Sequence, residues 1–570
     1  MDQTLKCDPE AGIQPMHASG DCVYWPIARR EVDRVLSFED REPHSGTYGC
    51  FDRVHWCWKF TDFPGARFQE GAFTLSWLFT SPMANATYGN PRILDWLTAS
   101  LDYWSSIQYP DGSFDEAYPY EHSLAATAFT SFYVGEAYLR VIDHLDPELK
   151  DRLNETFGLA GDWMCRNDET HGVLSNHLAA AAAGLHNIAR ITGESRFEHR
   201  SEYFVDRILA KQSCEGWYEE YGGADPGYQT HATFYLAWIW QQTRKARLLA
   251  SLTKAIEFQR FTIHPNGTLG GEYGSRGTEF YYPAGFEILA SHLDCAASVA
   301  LALRTSAADQ MIAGPATMDS YNIFPLLNNY LFAAESTQTD LNRSPLPCEN
   351  LGDWSFPEAG LHFKSTPAYY GILSTSKGGV VRVYDKTTNE LAMSDCGYWA
   401  ESSNGVISSQ SMDRTNAVQQ SDDSVEVRAP FVSVNQRTMQ PHTFVLFRLF
   451  TITLGRWQRV AYAVKQLLVK VLVSRRKQSP AWLTRTVEFG EERVVIKDRI
   501  ESESKLRFQN LTKAAKFLTI HMGSSRYFQS QELDLPESQT LSEAVARLNA
   551  GEAFEHTSHW QQPDPEGVAI

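Results

Sequence analysis

Apolar residues recur at i, i+3, i+4 spacing in seven stretches of the first 335 residues: Ile93 to Tyr109, Ala125 to Leu145, Leu178 to Thr192, Tyr203 to Lys211, Thr230 to Trp240, Lys245 to Phe261 and Phe286 to Arg304. That period puts the apolar side chains on one face of a helix, so each stretch is predicted helical. Gly, Pro, Asn and Asp gather between them, as turns require. Ala179 to Ala183 is an unbroken alanine run. Alanine favours helix and lets neighbouring helices approach closely, so this segment is expected in an inner layer. Beyond residue 350 the pattern changes. Tyr369 to Thr375, Gly379 to Tyr384, Val425 to Val434, Arg485 to Phe489, Val494 to Ile500 and Phe517 to Met522 are β-branched or alternating, the signature of strands. Thr337 to Pro347 reads as a linker. The expected fold is α+β and multidomain. A helical domain covers 1–335, a linker 336–350, and an antiparallel β-sandwich 351–570.

One phrase occurs three times in the turns of the helical part. It reads Pro110-Asp111-Gly112-Ser113-Phe114-Asp115-Glu116, then Glu215-Gly216-Trp217-Tyr218-Glu219-Glu220, then Pro265-Asn266-Gly267-Thr268-Leu269-Gly270-Gly271-Glu272. Each copy is a tight turn, an aromatic or apolar residue and a carboxylate, leading into an apolar helical stretch. Repeated helix–turn–helix units of this kind build a toroid of helical hairpins, which collects its turn residues around one cleft.

Composition sharpens this picture. A chain of 570 residues exceeds one ordinary core, which supports two domains. Its 15 Trp and 25 Tyr supply flat faces with polar edges, which suit stacking on sugar rings as well as filling a large core. A net charge of −18 excludes nucleic acid as a general partner. The nine cysteines are scattered, as in reduced cytoplasmic proteins; Cys50 and Cys57 lack zinc-type spacing. Met1 to Cys7 holds no apolar leader core, and no run of about 18 apolar residues exists. A cytoplasmic location is therefore expected, with no cofactor.

Val427 to Val487 departs from the average. It contains no Asp or Glu, against 69 in the whole chain, and eleven Lys or Arg. Strongly apolar runs, Phe444 to Leu454 and Val460 to Val473, lie between the cations. Such a segment fits a peripheral contact with an anionic membrane; it equally fits sandwich strands or a covering helix with solvated charges.

The second turn carries the richest chemistry. Asn176-His177 precedes the alanine-rich helix, and Asp225-Pro226-Gly227-Tyr228-Gln229-Thr230-His231 follows, with Tyr228 fifty-two residues after Asn176. The first turn adds Glu121 and His122; the third adds Arg276 and Tyr281; an earlier segment adds Arg67 and Gln69. Asn, Tyr and His suffice for one reaction without a metal. Breaking a glycosidic bond beside a uronic acid by β-elimination requires removal of the C5 proton. An amide or cation stabilises the enolate-like state. A Tyr or His takes the proton, and a second group supplies one to the leaving oxygen.

Ser175-Asn176-His177-Leu178 before an alanine-rich helix resembles the Asn-His element of heparinase II/III-like and related alginate lyases. Gly216-Trp217-Tyr218-Glu219 with Asp225-Pro226-Gly227-Tyr228 resembles the turn that carries the catalytic Tyr of those enzymes. The resemblance implies a helical toroid followed by a β-sandwich and a metal-independent polysaccharide lyase. In it Asn176 neutralises the uronate carboxylate, Tyr228 is base, acid or both, and His177 assists. His122 or His231 is the candidate proton donor. Arg67, Gln69, Glu121, Trp217, Glu219, Tyr221, Arg276 and Tyr281 are candidate contacts to a uronate-containing oligo- or polysaccharide. Relatives carry histidines early in the β-domain, whereas Ser394 to Glu401 here contains none, so no zinc site is expected there.

Structural roles compete at each position. Asn176 also fits a helix cap, Tyr228 a core position, and His122 and His231 helix starts. Arg276 fits an ion pair with Glu272 or Glu279, and Glu116, Glu219 and Glu220 fit helix N-terminal turns. Three other functions share the scaffold: a toroid glycoside hydrolase using two among Asp115, Glu116, Glu121, Glu219 and Glu220, a uronate C5-epimerase, and a non-catalytic glycan-binding protein.

Overall fold

The computed structural model describes residues 22–563, apart from 170–173, 422, 435–437, 458–459, 465–476, 504 and 521–522. Met1 to Cys7, on which the expectation of no leader rests, lies outside the described residues, as do parts of the acid-free segment.

The helical part contains α1 (Tyr24–Arg29), α2 (Val32–Phe38), α3 (Arg53–Trp56), α4 (Gly71–Thr80), α5 (Pro91–Ser106), α6 (Leu124–Val141), α7 (Pro147–Arg166), α8 (Ser175–Thr192), α9 (Ser195–Ala210), α10 (Pro226–Thr243), α11 (Ala246–Gln259), α12 (Ala284–Leu289), α13 (Asp294–Ala308) and α14 (Ile323–Ser336). Helices α4, α6, α8, α10, α12 and α14 each pack on the next, and α14 returns to α4, closing an inner ring. The alanine run of α8 is fully buried in it, packed on α6, α9 and α10. Helices α5, α7, α9, α11 and α13 lie outside the ring. Predicted and observed helices differ most at Phe286 to Arg304. There the chain turns between α12 and α13, with the Leu289 carbonyl accepting from both His292 and Leu293.

The repeated phrase is a repeated structure. Gly112, Gly216 and Gly267 all have positive φ, at 96°, 106° and 75°. Each lies against a backbone carbonyl of an outer helix: a Cβ would sit 2.0 Å from the Leu159 oxygen, 2.3 Å from that of Lys254 and 2.6 Å from that of Ala302. Only glycine allows that approach. Gln108 and Gln212 fasten the first two copies identically, each donating to the turn glycine's carbonyl and to an outer-helix carbonyl.

The β-part is built from two antiparallel sheets. One has the order β1 (Gly352–Phe356), β2 (Leu361–Ser365), β3 (Tyr369–Ser374), β4 (Val380–Asp385), β5 (Leu391–Asp395). The other adds β6 (Tyr398–Ser402), β7 (Gly405–Ser408), β8 (Ala417–Gln420), β9 (Ser424–Ser433), β10 (Gln478–Phe489), β11 (Arg493–Ser502), β12 (Thr512–Lys513), β13 (Gln539–Thr540) and β14 (Phe554–Gln561). Their order is β13-β12-β6-β7-β9-β10-β11-β14, with β8 on β9. Alternation divides the first sheet between two cores. Phe363, Tyr370, Ile372 and Tyr384 join the helical core, whereas Tyr369, Leu373, Val381 and Val383 pack with Val425, Val487 and Ile496 of the second sheet. The toroid, the small sheet and the large sheet therefore form three successive layers.

Two strand expectations change. Residues 517–520 of Phe517 to Met522 form no strand, and the remaining two lie outside the described residues. The side chain of Gln410 takes the place of a ladder: it donates to the Phe517 carbonyl and accepts from the Thr519 N–H. Within Val427 to Val487, β9 and β10 are not consecutive. A helix, α15 (Pro441–Ile452), and a short helical stretch at residues 460–464 lie between them, packed over the toroid rather than in the sandwich. No histidine stands in Ser394 to Glu401; Asp395 sits there instead in a buried network, with Arg485 at 3.0 Å and Lys513 at 2.9 Å.

The layers are joined by charge. Arg382 on β4, buried, pairs with Glu272 and with Glu279 at 2.7 Å, and Lys377 donates to the carbonyls of Gly274 and Ser275 in the third turn. These bonds fix the third turn from the β-side.

Candidate active site

The start of α8 and the second and third turns are joined by hydrogen bonds centred on Glu220. Leu174, just before α8, pairs with Glu220 as an isolated bridge. Ser175 donates its N–H and hydroxyl to the Glu219 carbonyl, and Ser275 donates its hydroxyl to the Glu220 carbonyl at 2.7 Å. Asp225 caps α10 by accepting from the Tyr228 N–H at 3.1 Å and accepts from the Arg276 N–H at 2.8 Å. Residues about fifty and a hundred positions apart are thereby held at one mouth of the ring.

Asn176 stands in the first turn of α8, buried. Its N–H and its Nδ2 donate to the two carboxylate oxygens of Glu220, at 2.7 and 2.9 Å. Burial pushes the Glu220 carboxyl up to about 8, against the lowering effect of those two bonds. His177, 19% exposed, holds Glu169 Oε2 on its Nδ1 at 2.7 Å. That bond fixes the ring's orientation. With the proton on Nδ1, Nε2 is left as the acceptor, the arrangement a base needs.

An aromatic floor links His177 to Tyr228. Phe129 meets His177 edge-on at 5.7 Å, stacks on His231 at 5.4 Å and carries the Arg67 guanidinium at 4.5 Å. His231 stacks on Tyr282 at 3.8 Å, and Phe280 bridges Tyr282 to Tyr228. Tyr228 then faces Tyr221 at 5.8 Å, whose ring lies under the Arg276 guanidinium at 4.4 Å. Burial raises the Tyr228 phenol above its ordinary value, and the positive charge of Arg276 and a bond to Ser524 pull it back. The site thus pairs a phenol beside a cation with an imidazole beside a carboxylate.

Not every candidate reaches this cleft. Gln69 is buried and uses its side chain on backbone: it accepts from the Phe51 N–H and donates to the Gly49 and Ser100 carbonyls. Its role is to fasten the loop before α4, not to contact a ligand. Tyr281 is fully buried and donates to the Leu303 carbonyl. Trp217 is 2% exposed, its Nε1 bound to Glu215, so it too packs rather than stacks on a sugar. His231 is 4% exposed, and burial first, then the Arg67 and His177 charges, hold its pKa well below the usual imidazole range. Burial thus disfavours the cationic form of its ring. His122 does line the cleft, with Glu116, Glu121 and His177; its Nδ1 lies 2.6 Å from Ser113 Oγ and 3.0 Å from Asp111. Arg67 lies behind the cleft wall, with Nε bonded to Glu70 at 2.7 Å and Nη1 3.4 Å from Glu116, which lines it. Glu219 is half-buried and Tyr221 adopts a left-handed φ of 54°. Arg276 does not pair with Glu272 or Glu279, because Arg382 holds both.

The carboxylates of the turns act mainly as girders. Asp115 accepts from the Tyr109 hydroxyl and from the N–H groups of Tyr120 and His122, both left-handed. Glu121 accepts from the N–H groups of Glu116 and Ala117. Among the described residues no group of three or more His, Cys, Asp or Glu side chains is arranged to hold a metal. Glu169, Phe129 and the Glu220–Asn176 pairing carry no signal in the sequence. Glu169 precedes Ser175 in a turn with no recurring spacing, and Phe129 reads as one more apolar helix position.

Residues 81–283 match the family model of the ulvan lyase N-terminal domain. No curated protein matches the sequence. Among solved structures the fold is similar to chondroitin AC lyase of Streptomyces coelicolor A3 in complex with chondroitin sulphate. Identity is 10%, the TM-score is 0.53, and the match covers 90% of this chain and 69% of that one. It is also similar to a Paenibacillus xanthan lyase at 9% identity and a TM-score of 0.53, over 87% of this chain and 47% of the other. This chain therefore spans less than half the length of the xanthan lyase. The family-model match agrees with the polysaccharide-lyase resemblance, and the two structures share the fold, a helical toroid followed by antiparallel sheets.

Proposed function

We propose that this protein is a polysaccharide lyase that cleaves a uronate-containing glycan by β-elimination, with its own side chains as the acid–base groups. The observation that supports the reading is a run of contacts: Asn176, locked to Glu220, precedes His177, locked to Glu169, and rings of Phe129, His231, Tyr282 and Phe280 lead from His177 to Tyr228. Tyr228 removes the C5 proton. The electrons move into the C4–C5 bond, and the glycosidic oxygen leaves from C4 as it takes a proton. Tyr228, protonated by the first step, returns that proton. His231 is enclosed and its cationic form is disfavoured by burial, so Tyr228 is preferred as the donor. Asn176 and Arg276 offset charge that develops on the uronate carboxylate, and His177 accepts a hydrogen bond or proton at Nε2.

Three of the five carboxylates that a hydrolase could use are engaged. Asp115 and Glu121 are engaged with backbone N–H groups, and Glu220 with Asn176. A pair of free carboxylates flanking a scissile bond is what such an enzyme needs. The test is to incubate the protein with ulvan, chondroitin sulphate, xanthan and other uronate glycans and follow ultraviolet absorbance. A 4,5-unsaturated uronate supports elimination. New reducing ends without absorbance mean hydrolysis, and solvent deuterium uptake without cleavage means epimerisation.

A further inference from the structure

The helix between β9 and β10 turns its apolar side the wrong way for a soluble surface. Phe447, Phe450 and Thr451 of α15 face the toroid, with Phe447 edge-on to Tyr118 at 5.0 Å. Val445, Leu446, Leu449 and Ile452 face outward and are 56%, 66%, 51% and 37% exposed. Leu454 and Trp457 extend the stripe, Trp457 at 65% exposure. A contiguous apolar patch of this kind on a monomer marks a contact surface.

A second segment, remote in sequence, joins it. Trp58 and Phe60 are 60% and 81% exposed, stacked on one another at 6.0 Å, with exposed Lys59 between them. Arg448 of α15 ties the two segments together: it pairs with Asp62 and lies over the Phe63 ring at 5.8 Å. One face therefore presents an aromatic–lysine–aromatic tip beside an apolar helix. Lys59 and Arg456 are exposed at this face, and Arg448 pairs with Asp62 there; of the eleven cations in Val427 to Val487, Arg428 and Arg485 stand in β9 and β10, and six lie outside the described residues.

We infer that this face, α15 with the Trp58–Phe60 tip, docks the protein on an anionic lipid bilayer. Apolar side chains among cations, with Trp at the edge, match the headgroup–acyl boundary. The otherwise acidic chain is repelled by such a surface, so Lys59 and Arg456 at this face set the orientation. No helix among the described residues is long and apolar enough to cross a membrane. At ~1.5 Å per residue α15 spans about 18 Å against about 30 Å of hydrocarbon, so it lies in the surface plane. Docking is coupled to the cleft in space. Arg456 lies over Tyr120 at 4.9 Å, and Ala461 and Tyr462 line the same cleft as His122 and His177. The bilayer thus adjoins one wall of the site, which favours glycans held at a membrane surface. The docking itself does not depend on the reaction proposed above.

The test is flotation of the full chain with vesicles of phosphatidylcholine alone or with added phosphatidylglycerol, at low and high salt. The expected result is binding to the anionic vesicles that weakens with salt, and that falls about tenfold for each of Leu446→Glu and Leu449→Glu. Both positions are exposed, and circular dichroism of the variants checks that the fold is kept. Absence of binding at low salt, equal binding to neutral vesicles, or undiminished binding by the variants would overturn the inference. So would a stable dimer, seen by light scattering and dissolved by the same variants without vesicle binding; that result assigns the face to a second copy.

Discussion

Asn176 and Glu220 form a two-point contact in which the N–H and the side-chain amide of one residue meet both carboxylate oxygens of the other, at 2.7 and 2.9 Å. The contact joins the first turn of α8 to the second repeated turn, and it sits in a fully buried environment. It makes Glu220 the positioning residue for Asn176.

This pairing predicts a pH dependence of stability. Burial holds the Glu220 carboxyl up at about 8, above its value of roughly 4.3 in an unfolded chain. Between those two values the folded state binds more protons than the unfolded one, so this group's contribution is full at acid pH and is lost as pH rises toward 8. Glu220→Gln is expected to flatten that part of the curve of denaturant midpoint against pH. An unchanged slope in the variant would place the titration elsewhere.

Glu169 is predicted to act through His177. Glu169→Gln keeps the hydrogen bond but loses the charge, and it is expected to lower kcat by about 10- to 100-fold with KM little changed. His177→Ala is expected to cost about 100-fold or more on the same scale. Steady-state kinetics on a cleaved glycan reads both; a rise in KM with constant kcat would make His177 a binding residue only.

Arg276 lies over Tyr221 and pulls down the Tyr228 phenol that burial raises. A base must lose its proton, so the rate is expected to climb with pH through the neutral and mildly alkaline range. Arg276→Gln removes the lowering charge and is expected to move that rise to higher pH. A profile that does not move would separate Arg276 from the titration of Tyr228.

The turn glycines and the interdomain arginine give stability tests. Gly112→Ala places a methyl 2.0 Å from the Leu159 carbonyl at a φ of 96°, and a loss of about 2 kcal/mol or more is expected from strain and displacement. Arg382→Met leaves Glu272 and Glu279 buried with less opposing charge, and a loss of about 3–5 kcal/mol is expected. Denaturant unfolding measures both, and wild-type midpoints would contradict the packing described.

Much of the fold is legible in the sequence. The period of α5, α8 and α11 marks helices that bury one face, and the alanine run of α8 marks a place in the inner ring. Inner helices such as α4 and α14 are apolar all round, so no period announces them. The three turn glycines announced the repeat, but not that each presses against an outer-helix carbonyl. Asn176, His177 and Tyr228 could be named from short motifs. Gln69 and Trp217 have the right chemistry for a sugar contact, and only their neighbours reveal that backbone and Glu215 already occupy them. The roles of Glu169 and Glu220 are relations between remote turns, which no local pattern encodes.

The most direct measurement compares the wild-type protein with Tyr228→Phe on a uronate glycan that the wild type cleaves, following unsaturated product by ultraviolet absorbance and glycan binding by calorimetry. The expected result is an absorbance rise for the wild type and a rate about 100-fold or more lower for the variant, with binding retained. Cleavage by Tyr228→Phe at the wild-type rate, or cleavage by the wild type without unsaturated product, would contradict the account.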